Sequence, residues 1–484
     1  MSFIDNLDTI AAIATPYGIG GVGVIRISGP AALQVFNQIV KKKEPIHAKA
    51  TYGVFKNSIS EEKIDEGLAL FFKAPHSFTG EDVLELHGHG GPVVIQMLLE
   101  AVLETGVRMA RPGEFSERAF LNNKMDLTKA EAIADLINAR SKSAAKAAFR
   151  SLQGSFSKEV NHILEGLIQL RIYVESAIDF PEEEIDFLSD TRILNQALEI
   201  EKNLANLLSR AEKGALLQTG LNLVILGRPN AGKSSLLNQL TEKDTAIVTD
   251  VPGTTRDLLK ELILINGVPV HVFDTAGLRE TEDIVEKEGI KRAHQAIKTA
   301  DCVLLLLEPN QEILNNNNNF NFIMDNLLKN RDELLDKIMN LENLENKDKN
   351  KKELNILNIL NKVDLIDKNI LLNLKENKNF KDWLFISAKT GEKIEDLRQS
   401  LLFLLGLEEL GGSQVFSART RHIECLKKAW LHLKSGITAL EKHKAGELLA
   451  EECRLAQENL NEITGAFSSD DLLGRIFSSF CIGK

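Results

Sequence analysis

The sequence is short of cysteine and of long apolar runs, and each shortage excludes a class of protein. The four cysteines, Cys302, Cys425, Cys453 and Cys481, lack the paired spacing of a metal site and are too few for a disulfide scaffold. No apolar run approaches the roughly 20 residues that a membrane helix needs. The first residues also lack the basic and apolar regions of a signal peptide. These absences predict a protein of the reducing cytoplasm.

Positive charge is also in short supply. Lys and Arg number 58 against 69 Asp and Glu, so the net charge is −11. A chain of this charge is not a general phosphate binder, and a nucleic acid must meet either a local basic patch or a partner protein. The 43% apolar and 26% charged residues are ordinary for a globular protein and exclude wholesale disorder. At about 150 residues per domain, 484 residues predict three domains.

Four segments of different character divide the chain. Residues 1–121 mix short β-branched runs with one amphipathic stretch, which is typical of a small α+β domain. Residues 122–218 carry Ala, Leu, Glu and Lys at helical spacing, and the same pattern returns over residues 409–484. Residues 219–408 alternate strand-like and helix-like segments. We therefore predict a helical domain in two segments with a parallel α/β domain inserted between them.

An Asn-rich tract interrupts the α/β segment between about residues 310 and 355, with five consecutive asparagines at Asn315–Asn319. Such a composition buries little apolar surface, which predicts a surface insertion without chemistry of its own. Leucines at helical spacing in LLKNRDELLDKIMNLENL leave open an amphipathic helix within the tract.

A phosphate-binding loop is the first motif with chemistry. GRPNAGKSS, residues 227–235, fits the pattern G-x-x-x-x-G-K-[ST] and stands between a strand-like LNLVIL and a helix-like SSLLNQL. Glycines let backbone N–H groups surround phosphate oxygens at the positive end of a helix. Lys233 would reach the β and γ phosphates and the Ser234 hydroxyl would bind Mg2+. The residues assigned to nucleotide binding here are Asn230, Ala231, Gly232, Lys233, Ser234 and Ser235.

Three further motifs follow in the order expected of a guanine-nucleotide site. DTAG follows a strand-like PVHVF and supplies an acid for the metal and a Gly amide for the γ-phosphate. NKVD follows NILNIL, and its aspartate can accept from N1–H and the amino group of guanine, which adenine cannot offer. SAK follows WLFI and would form the loop that lies behind the guanine base. We assign to GTP binding Asp274, Thr275, Ala276, Gly277, Asn361, Lys362, Asp364, Ser387, Ala388 and Lys389.

The catalytic apparatus departs from that of Ras-like proteins. Leu278 stands where those proteins carry a water-orienting Gln, and an apolar side chain cannot orient water. Arg279 is the next residue, and we interpret it as a salt-bridge partner in the switch rather than as an arginine finger. The first switch should include Thr255 as the second hydroxyl ligand of Mg2+. The other residues assigned to the nucleotide in that loop are Thr249, Asp250, Val251, Pro252, Gly253 and Thr254.

Two N-terminal motifs invite other interpretations. GIGGVG formally matches G-x-G-x-x-G, but a strand-like VIRIS follows where a dinucleotide site needs a helix, so we predict a turn. His87 and His89 in HGHGG suggest a metal site, but without nearby carboxylates or thiolates in the pattern we interpret them as structural.

The motifs GRPNAGKSS, TDVPGTTRD and DTAGLRE, with the N-terminal GGVGVIRISG and RPGEFSERAFLN and the terminal FSSFCIGK, resemble the MnmE (TrmE) family of tRNA modification GTPases. This family belongs to the TrmE-Era-EngA-like superfamily. The resemblance covers nearly the whole chain outside the Asn-rich tract. It implies an N-terminal α+β dimerisation domain similar to folate-binding enzymes, a discontinuous helical domain and an inserted Ras-like P-loop G domain.

The resemblance also implies a function. Such proteins are K+-activated GTPases that hydrolyse GTP when the G domains of a homodimer meet. In a heterotetramer with the flavoprotein MnmG (GidA), they install an aminomethyl or carboxymethylaminomethyl group at C5 of wobble uridine in certain tRNAs. The one-carbon donor is a reduced folate of the 5-formyltetrahydrofolate type. An acidic chain would then meet its tRNA together with a second protein.

Residue roles carried over from the family remain implied by the resemblance alone. Glu286 would orient the attacking water, and Ser234 and Thr255 would hold Mg2+. K+ would be held by Asn230, Thr249, Val251 and Thr254, and the reduced folate by Arg26, Glu85, Lys124 and Lys484.

Cys481, the fourth-last residue of the sequence, is a candidate nucleophile toward uridine or a one-carbon unit. The alternative is a small buried residue under a docked tail. At the level of the whole protein, the alternative function is a ribosome-assembly GTPase switch of the Era or EngA type. The N-terminal domain and the CIGK tail favour the modification enzyme, although the N-terminal domain could also serve dimerisation alone.

Overall fold

The structure is a computed structural model that describes residues 8–42, 44–179, 191–241, 260–274, 296–309, 320–343, 354–404, 415–466, 470–478, 480 and 483. The chain divides into two compact units. One comprises Met1–Ala134, Ser151–Ala205 and Glu424–Lys484, and the other comprises Asp135–Arg150 and Asn206–Ile423. The exact bounds of the four segments stay a prediction.

The N-terminal part is a six-stranded sheet with three helices, as the mixed sequence pattern predicts. The sheet order is β3-β4-β5-β2-β1-β6, antiparallel except for the parallel pair β1 and β6. Its strands are β1 Ile10–Ile13, β2 Gly20–Ser28, β3 Thr51–Lys56, β4 Lys63–Phe72, β5 Val83–Gly90 and β6 Arg108–Met109. The helices are α1 Ala32–Ile39, α2 Pro92–Leu103 and α3 Glu114–Leu121. Apolar faces of α1 and α2 pack on the sheet around the buried Phe36, Leu84 and Leu98.

The glycine-rich stretch of residues 18–23 begins in the connection between the antiparallel strands β1 and β2 and continues as the start of β2, so the prediction of a turn was wrong from Gly20 onward. Strand β2 begins at Gly20, and its pairing with β5 shifts register between Gly20 and Gly23. A Cβ on Gly23 would lie 2.9 Å from a methyl group of Ile95, and one on Gly90 would lie 2.7 Å from the carbonyl oxygen of Gly20. At Gly23 and Gly90, glycine is therefore needed because backbone and helix approach closely.

The first helical segment comprises α4 Leu127–Ile137, α5 Lys142–Leu152, α6 Ser155–Asp179 and α7 Thr191–Thr219. The Ala-rich repeat of the sequence gives α5 one buried face of small side chains, Ala144, Ala147 and Ala148. Two of these alanines join the same core as Leu217 at the end of α7.

The inserted α/β part contains a second six-stranded sheet, of order β12-β11-β10-β7-β9-β8, in which only the β8–β9 pair is antiparallel. Its strands are β7 Leu221–Gly227, β8 Lys260–Ile265, β9 Val268–Asp274, β10 Cys302–Leu307, β11 Asn355–Leu360 and β12 Trp383–Phe385. Its described helices are α8 Lys233–Thr241, α9 Phe320–Asn343, α10 Lys368–Glu376 and α11 Ile394–Leu404. From β7 the chain builds first one side of the sheet and then the other. The carboxyl end of β7 is therefore the switch point at which such sheets bind ligands.

Part of the Asn-rich tract has a structural role that its composition hides. Helix α9 lies between β10 and β11, which pair in parallel, and parallel neighbours require a crossover connection. Ile323 and Leu327 on α9 are buried in a core with Leu307 and Leu360. The amphipathic helix that the leucine spacing suggested is present. For the residues of this helix, the expectation of a surface insertion was wrong. The asparagines 315–319 lie outside the described residues.

The second helical segment comprises α12 Thr420–His443, α13 Gly446–Thr464 and α14 Asp470–Ser478. It joins the first segment through partly buried contacts: Arg171 of α6 donates to Gln457 of α13 at 2.8 Å, and Trp430 of α12 donates to Glu201 of α7 at 2.5 Å. The helical domain is therefore discontinuous, as predicted. In the described part of the chain, no helix combines the length and the apolar character needed to cross a membrane.

Candidate functional site

The phosphate loop lies between the end of β7 and the start of α8. Asn230 and Gly232 both adopt the left-handed backbone region, with φ of 67° and 94°. A Cβ on Gly232 would collide with the side-chain nitrogen of Asn361, so only glycine fits this position. Helix α8 begins directly at Lys233, and its unpaired N–H groups face the loop. Backbone and helix together form an anion-binding concavity.

Lys233 lies folded over this loop. Its Nζ donates to the carbonyl oxygens of Gly227 at 2.9 Å and Arg228 at 3.2 Å. The next two residues, Ser234 and Ser235, are exposed on the first turn of α8. The arrangement places an ammonium group and hydroxyl groups at one end of β7, where a polyphosphate with its cation can be held.

Asn361 joins three of the predicted loops. It is 1% exposed and follows the last residue of β11. Its Nδ2 donates to the carbonyl oxygen of Ala231 in the phosphate loop at 2.8 Å, and its Oδ1 accepts from the N–H of Ala388 at 2.9 Å. One buried amide thus fixes the phosphate loop relative to the segment that would back the base.

Asp364 and Ser387 form the predicted base-binding edge. The buried Ser387 hydroxyl donates to Oδ1 of the exposed Asp364 at 2.6 Å and accepts from the N–H of Thr390 at 3.2 Å. Lys362 adopts a left-handed backbone with φ of 61° and forms an ion pair with Glu308. Lys389 is exposed. A carboxylate oriented by a neighbouring hydroxyl at the sheet edge can accept the N–H groups of a guanine.

In the N-terminal part, Arg26 of β2 and Glu85 of β5 are register partners. Arg26 Nε donates to Glu85 Oε1 at 2.9 Å, and the guanidinium lies near the rings of Phe78 and Phe115, 5.5 and 5.8 Å from their centroids. The other carboxylate oxygen, Oε2, lies 3.2 Å from Nε2 of His87. The hydrogen bond with His87 and the charge of Arg26 hold the pKa of Glu85 below its usual value against the opposing effect of burial.

His87 is a residue whose environment the sequence interpretation missed. Both histidines have a carboxylate partner, since His87 contacts Glu85 and His89 Nδ1 lies 2.7 Å from Oδ1 of Asp65. The alternation of side chains along β5 puts residues 85, 87 and 89 on one face, and that signal was available in the sequence. Within the described ranges, no group of three His, Cys, Asp or Glu side chains could hold a metal ion.

Lys124 lies at the loop that covers Arg26. Its Nζ donates to the carbonyl oxygen of Pro75 at 2.9 Å, and its aliphatic part lies near Gly80. Phe78, which contacts the Arg26 guanidinium, belongs to the same loop. Three of the four predicted folate-binding residues therefore lie around one loop and the neighbouring strands.

Gly483, near the C-terminus, lies against strand β1. Gly483 is buried, and a Cβ there would collide with the carbonyl oxygen of Ile13. Ile13 follows Ala12, the register partner of Arg26. Phe480 is buried against Phe477, with ring centroids 5.4 Å apart. Gly483 thus contacts β1 one residue beyond Ala12, the strand position that pairs with Arg26.

The cysteines that the structure describes are buried. Burial raises the pKa of both Cys302 and Cys453 to about 12, so neither presents a thiolate at neutral pH. Cys425 is also buried, with its Sγ 3.6 Å from a carboxylate oxygen of Glu462. None of these three therefore replaces Cys481 as a candidate nucleophile.

Comparison with known proteins agrees with these features. The model of the MnmE helical domain matches residues 127–481, and that of the GTP-binding protein TrmE N-terminus matches residues 9–124. The tRNA modification GTPase MnmE of Stutzerimonas stutzeri is 53% identical over 477 residues, covering 99% of this chain and 99% of that protein. The chain belongs to the MnmE family of tRNA modification GTPases. The family resemblance, the fold class and the assignment as a GTP hydrolase are confirmed.

Other similarities differ in extent. The MnmE protein of Hydrogenovibrio crunogenus is 50% identical over 484 residues and covers 100% of both chains. Among solved structures, the FeoB G-domain from Methanococcus jannaschii covers 38% of this chain and 97% of that chain, with 20% identity and a TM-score of 0.25. Membership of the MnmE family rests on the full-length relatives and the family models.

Several predicted MnmE-type site residues fall outside the described part of the chain. Asp274 ends β9 beside Ile225 of β7, and only its backbone is described. The predicted site residues that lie wholly outside the described part of the chain are Thr249, Asp250, Val251, Pro252, Gly253, Thr254, Thr255, Thr275, Ala276, Gly277, Glu286, Cys481 and Lys484.

Proposed function

We propose that this chain is a K+-activated GTPase that acts as a homodimer and, with the flavoprotein MnmG (GidA), modifies C5 of the wobble uridine in certain cytoplasmic tRNAs. The product carries an aminomethyl or carboxymethylaminomethyl group. The observation that carries the proposal is the contact of Gly483 with Ile13 of β1, one residue from the strand position that pairs with Arg26 of the Arg26–Glu85 pair. A switch protein without modification chemistry has no need for a segment fixed on this strand.

GTP binding is supported by the described loops. Lys233 and the start of α8 would bind the phosphates, Asp364 would accept from guanine, and Asn361 would keep the two ends of the site at a fixed separation. Ser234, exposed at the first helical turn, fits a hydroxyl ligand of Mg2+ together with Thr255. The base specificity follows from the acceptor character of Asp364.

The charge stabilisation would come from K+ rather than from an arginine finger. Asn230 has an exposed side chain at a left-handed position of the phosphate loop, and its amide oxygen suits a hard cation. Thr249, Val251 and Thr254 would complete the ligand set. A cation beside the phosphates supplies an effect in the range of about 10³–10⁵ in rate that an arginine finger gives elsewhere. Glu286 would orient the attacking water in place of the missing Gln.

The N-terminal cluster fits a reduced folate of the 5-formyltetrahydrofolate type. Glu85 is ionised and oriented by two donors, so it can accept hydrogen bonds from the amidine-like edge of a pterin. Arg26 is already engaged by Glu85, and we assign to it the orientation of that carboxylate. Lys124 and Lys484 would pair with the glutamate carboxylates of the folate. Cys481 would serve as the nucleophile of the tail.

Nucleoside mass spectrometry of tRNA tests the proposal. Cells that lack this protein should contain wobble uridine without the modification, and the wild-type chain should restore it. An Arg26→Ala variant should restore it poorly while keeping its GTPase rate, because Arg26 belongs to the N-terminal cluster and not to the nucleotide site. Normal modification in the deleted cells would contradict the proposal and favour the ribosome-assembly switch.

A further inference from the structure

A segment of strongly positive character runs through this acidic chain. Residues 136–158 contain five Lys or Arg and no Asp or Glu, although the whole chain has a net charge of −11. The five are Arg140, Lys142, Lys146, Arg150 and Lys158. Helix α5 occupies the middle of this segment. A local concentration of one charge sign against the overall balance produces a local potential that the net charge does not reveal.

Helix α5 separates its side chains onto two faces. The buried face consists of Ala144, Ala147 and Ala148. The opposite face exposes Lys142, Lys146 and Phe149, at i, i+4 and i+7, so all three lie along one stripe of the helix. Phe149 is 50% exposed, which is unusual for a large aromatic ring. The two lysines are about 6 Å apart along the helix axis.

The positive charges of this stripe are not neutralised within the described residues. None of Arg140, Lys142 and Lys146 forms an ion pair or side-chain hydrogen bond there, and all three are exposed. Some other exposed cations of the chain are paired, as Arg454 is with Glu451 and Lys393 with Asp396. In the α5 stripe, by contrast, neighbouring cations lie together without a carboxylate partner among the described residues.

We propose that Arg140, Lys142, Lys146 and Phe149, here called the α5 basic face, bind the tRNA substrate. The proposal rests on the tRNA modification proposed above and adds the surface that recognises the RNA. The cations would contact phosphates, and Phe149 would stack on an unpaired base, as aromatic residues within basic grooves do. An acidic protein partner would match the lysines but would leave the exposed ring without an equivalent contact. The charge pattern with one exposed aromatic therefore favours RNA.

Binding of the full-length chain to an in vitro transcribed tRNA, measured by fluorescence anisotropy over a range of salt concentrations, tests this proposal. Replacing Lys142→Gln together with Lys146→Gln should weaken binding at low salt. It should also reduce the slope of log K against log salt by about 1.4–1.8, because each lost phosphate contact contributes about 0.7–0.9. Phe149→Ala should lower the affinity about tenfold without changing the slope, since stacking involves no counterion release.

A matched control is Lys378→Gln with Lys381→Gln, a pair of exposed lysines elsewhere in the same unit that also lack ion pairs among the described residues. The control should retain wild-type binding. All variants should keep the GTPase rate and melting temperature, because the replaced side chains are exposed.

Three results would overturn the proposal: equal binding of the α5 variants and the wild type, an equal loss in the control pair, or loss of flavoprotein binding with tRNA binding unchanged. The last result would identify a protein interface. This experiment measures tRNA binding, whereas the mass spectrometry measures tRNA modification. A failure of one proposal can therefore be told apart from a failure of the other.

Discussion

The side-chain amide of Asn361 donates a 2.8 Å hydrogen bond to the carbonyl oxygen of Ala231. These residues are far apart in sequence and belong to the proposed base-binding and phosphate-binding loops. Asn361 is buried, and its Oδ1 also accepts from the N–H of Ala388. The nitrogen and the oxygen of its side-chain amide are therefore hydrogen-bonded to two different loops. The geometry of the candidate nucleotide site therefore depends on one amide that need not touch the nucleotide.

Replacing Asn361→Ala should weaken nucleotide binding substantially. The change leaves buried backbone groups of Ala231 and Ala388 unpaired, at a cost of about 1–3 kcal/mol for each such group. We expect a roughly tenfold or greater loss of GDP affinity, measured with a fluorescent analogue, and a lower melting temperature. Asn369→Ala, at an exposed position of α10, is the control and should change neither. Unaltered affinity of the Asn361 variant would contradict the bridging role.

Replacing Gly232→Ala should weaken nucleotide binding more than the addition of a single methyl group suggests. The residue has φ of 94°, and its new Cβ would collide with the Asn361 side chain, so the phosphate loop must distort. Nucleotide affinity should fall by at least tenfold, in line with about 1–3 kcal/mol of strain.

Gly474→Ala on α14 is the matched control, because nothing lies within 4 Å of its Cβ position. It should leave binding unchanged and leave the melting temperature equal or slightly higher. Equal affinity of the Gly232 variant and the wild type would refute the tight fit.

Asp364→Asn should change the base preference from GTP to XTP. The new Oδ1 can still accept from Ser387, while the amide N–H2 now matches the carbonyl group that xanthine carries in place of the guanine amino group. Competition between GTP and XTP for the labelled nucleotide measures the change. Asp382→Asn, at an exposed position outside the site, should keep the preference for GTP. Unchanged GTP affinity in the Asp364 variant would remove the basis for our assignment of base recognition.

Replacement of KCl by NaCl at constant ionic strength should strongly depress GTP turnover. The proposed site uses a cation where other GTPases use an arginine finger, and such groups contribute about 10³–10⁵ in rate. The measurement is phosphate release at saturating GTP. RbCl, whose cation is close in size to K+, serves as the control and should retain most of the rate. Equal rates in KCl and NaCl would exclude a selective K+ site.

Glu85→Gln should reduce stability at neutral pH but not in acid. The hydrogen bond with His87 and the charge of Arg26 lower the pKa of Glu85 in the folded state from its ordinary value of 4.5. A carboxyl group with a lowered folded pKa contributes stability above its unfolded pKa, and this contribution is lost as the pH falls through the folded pKa.

The difference in melting temperature between wild type and the Glu85 variant should therefore be largest near neutral pH and should shrink below about pH 4.5. The exposed Glu62 offers a control, since Glu62→Gln should show little difference at any pH. A constant difference across this range would indicate that the Glu85 charge does not stabilise the fold.

The sequence by itself determined the local elements. Strand β11 coincides with NILNIL, β7 precedes the phosphate loop as its apolar run predicts, and α8 follows it. These features are encoded by residues close together, through hydrophobic periodicity and the conformational freedom of glycine. The motif order also predicted a guanine nucleotide, because each motif supplies a chemical group at a strand end. The family resemblance was likewise available from the residues alone.

Tertiary structure decided the features that join distant residues. Periodicity cannot reveal that Asn361 meets Ala231, that His87 completes the contacts of Glu85, or that Gly483 lies on Ile13. The glycine-rich stretch looked like a turn because glycine permits both a reversal and a close approach, and only its neighbours distinguish them. The helix within the Asn-rich tract was ambiguous for a similar reason. Its apolar face can be assigned to the core only once β10 and β11 are known to pair in parallel, because parallel neighbours require a crossover connection and this helix supplies it.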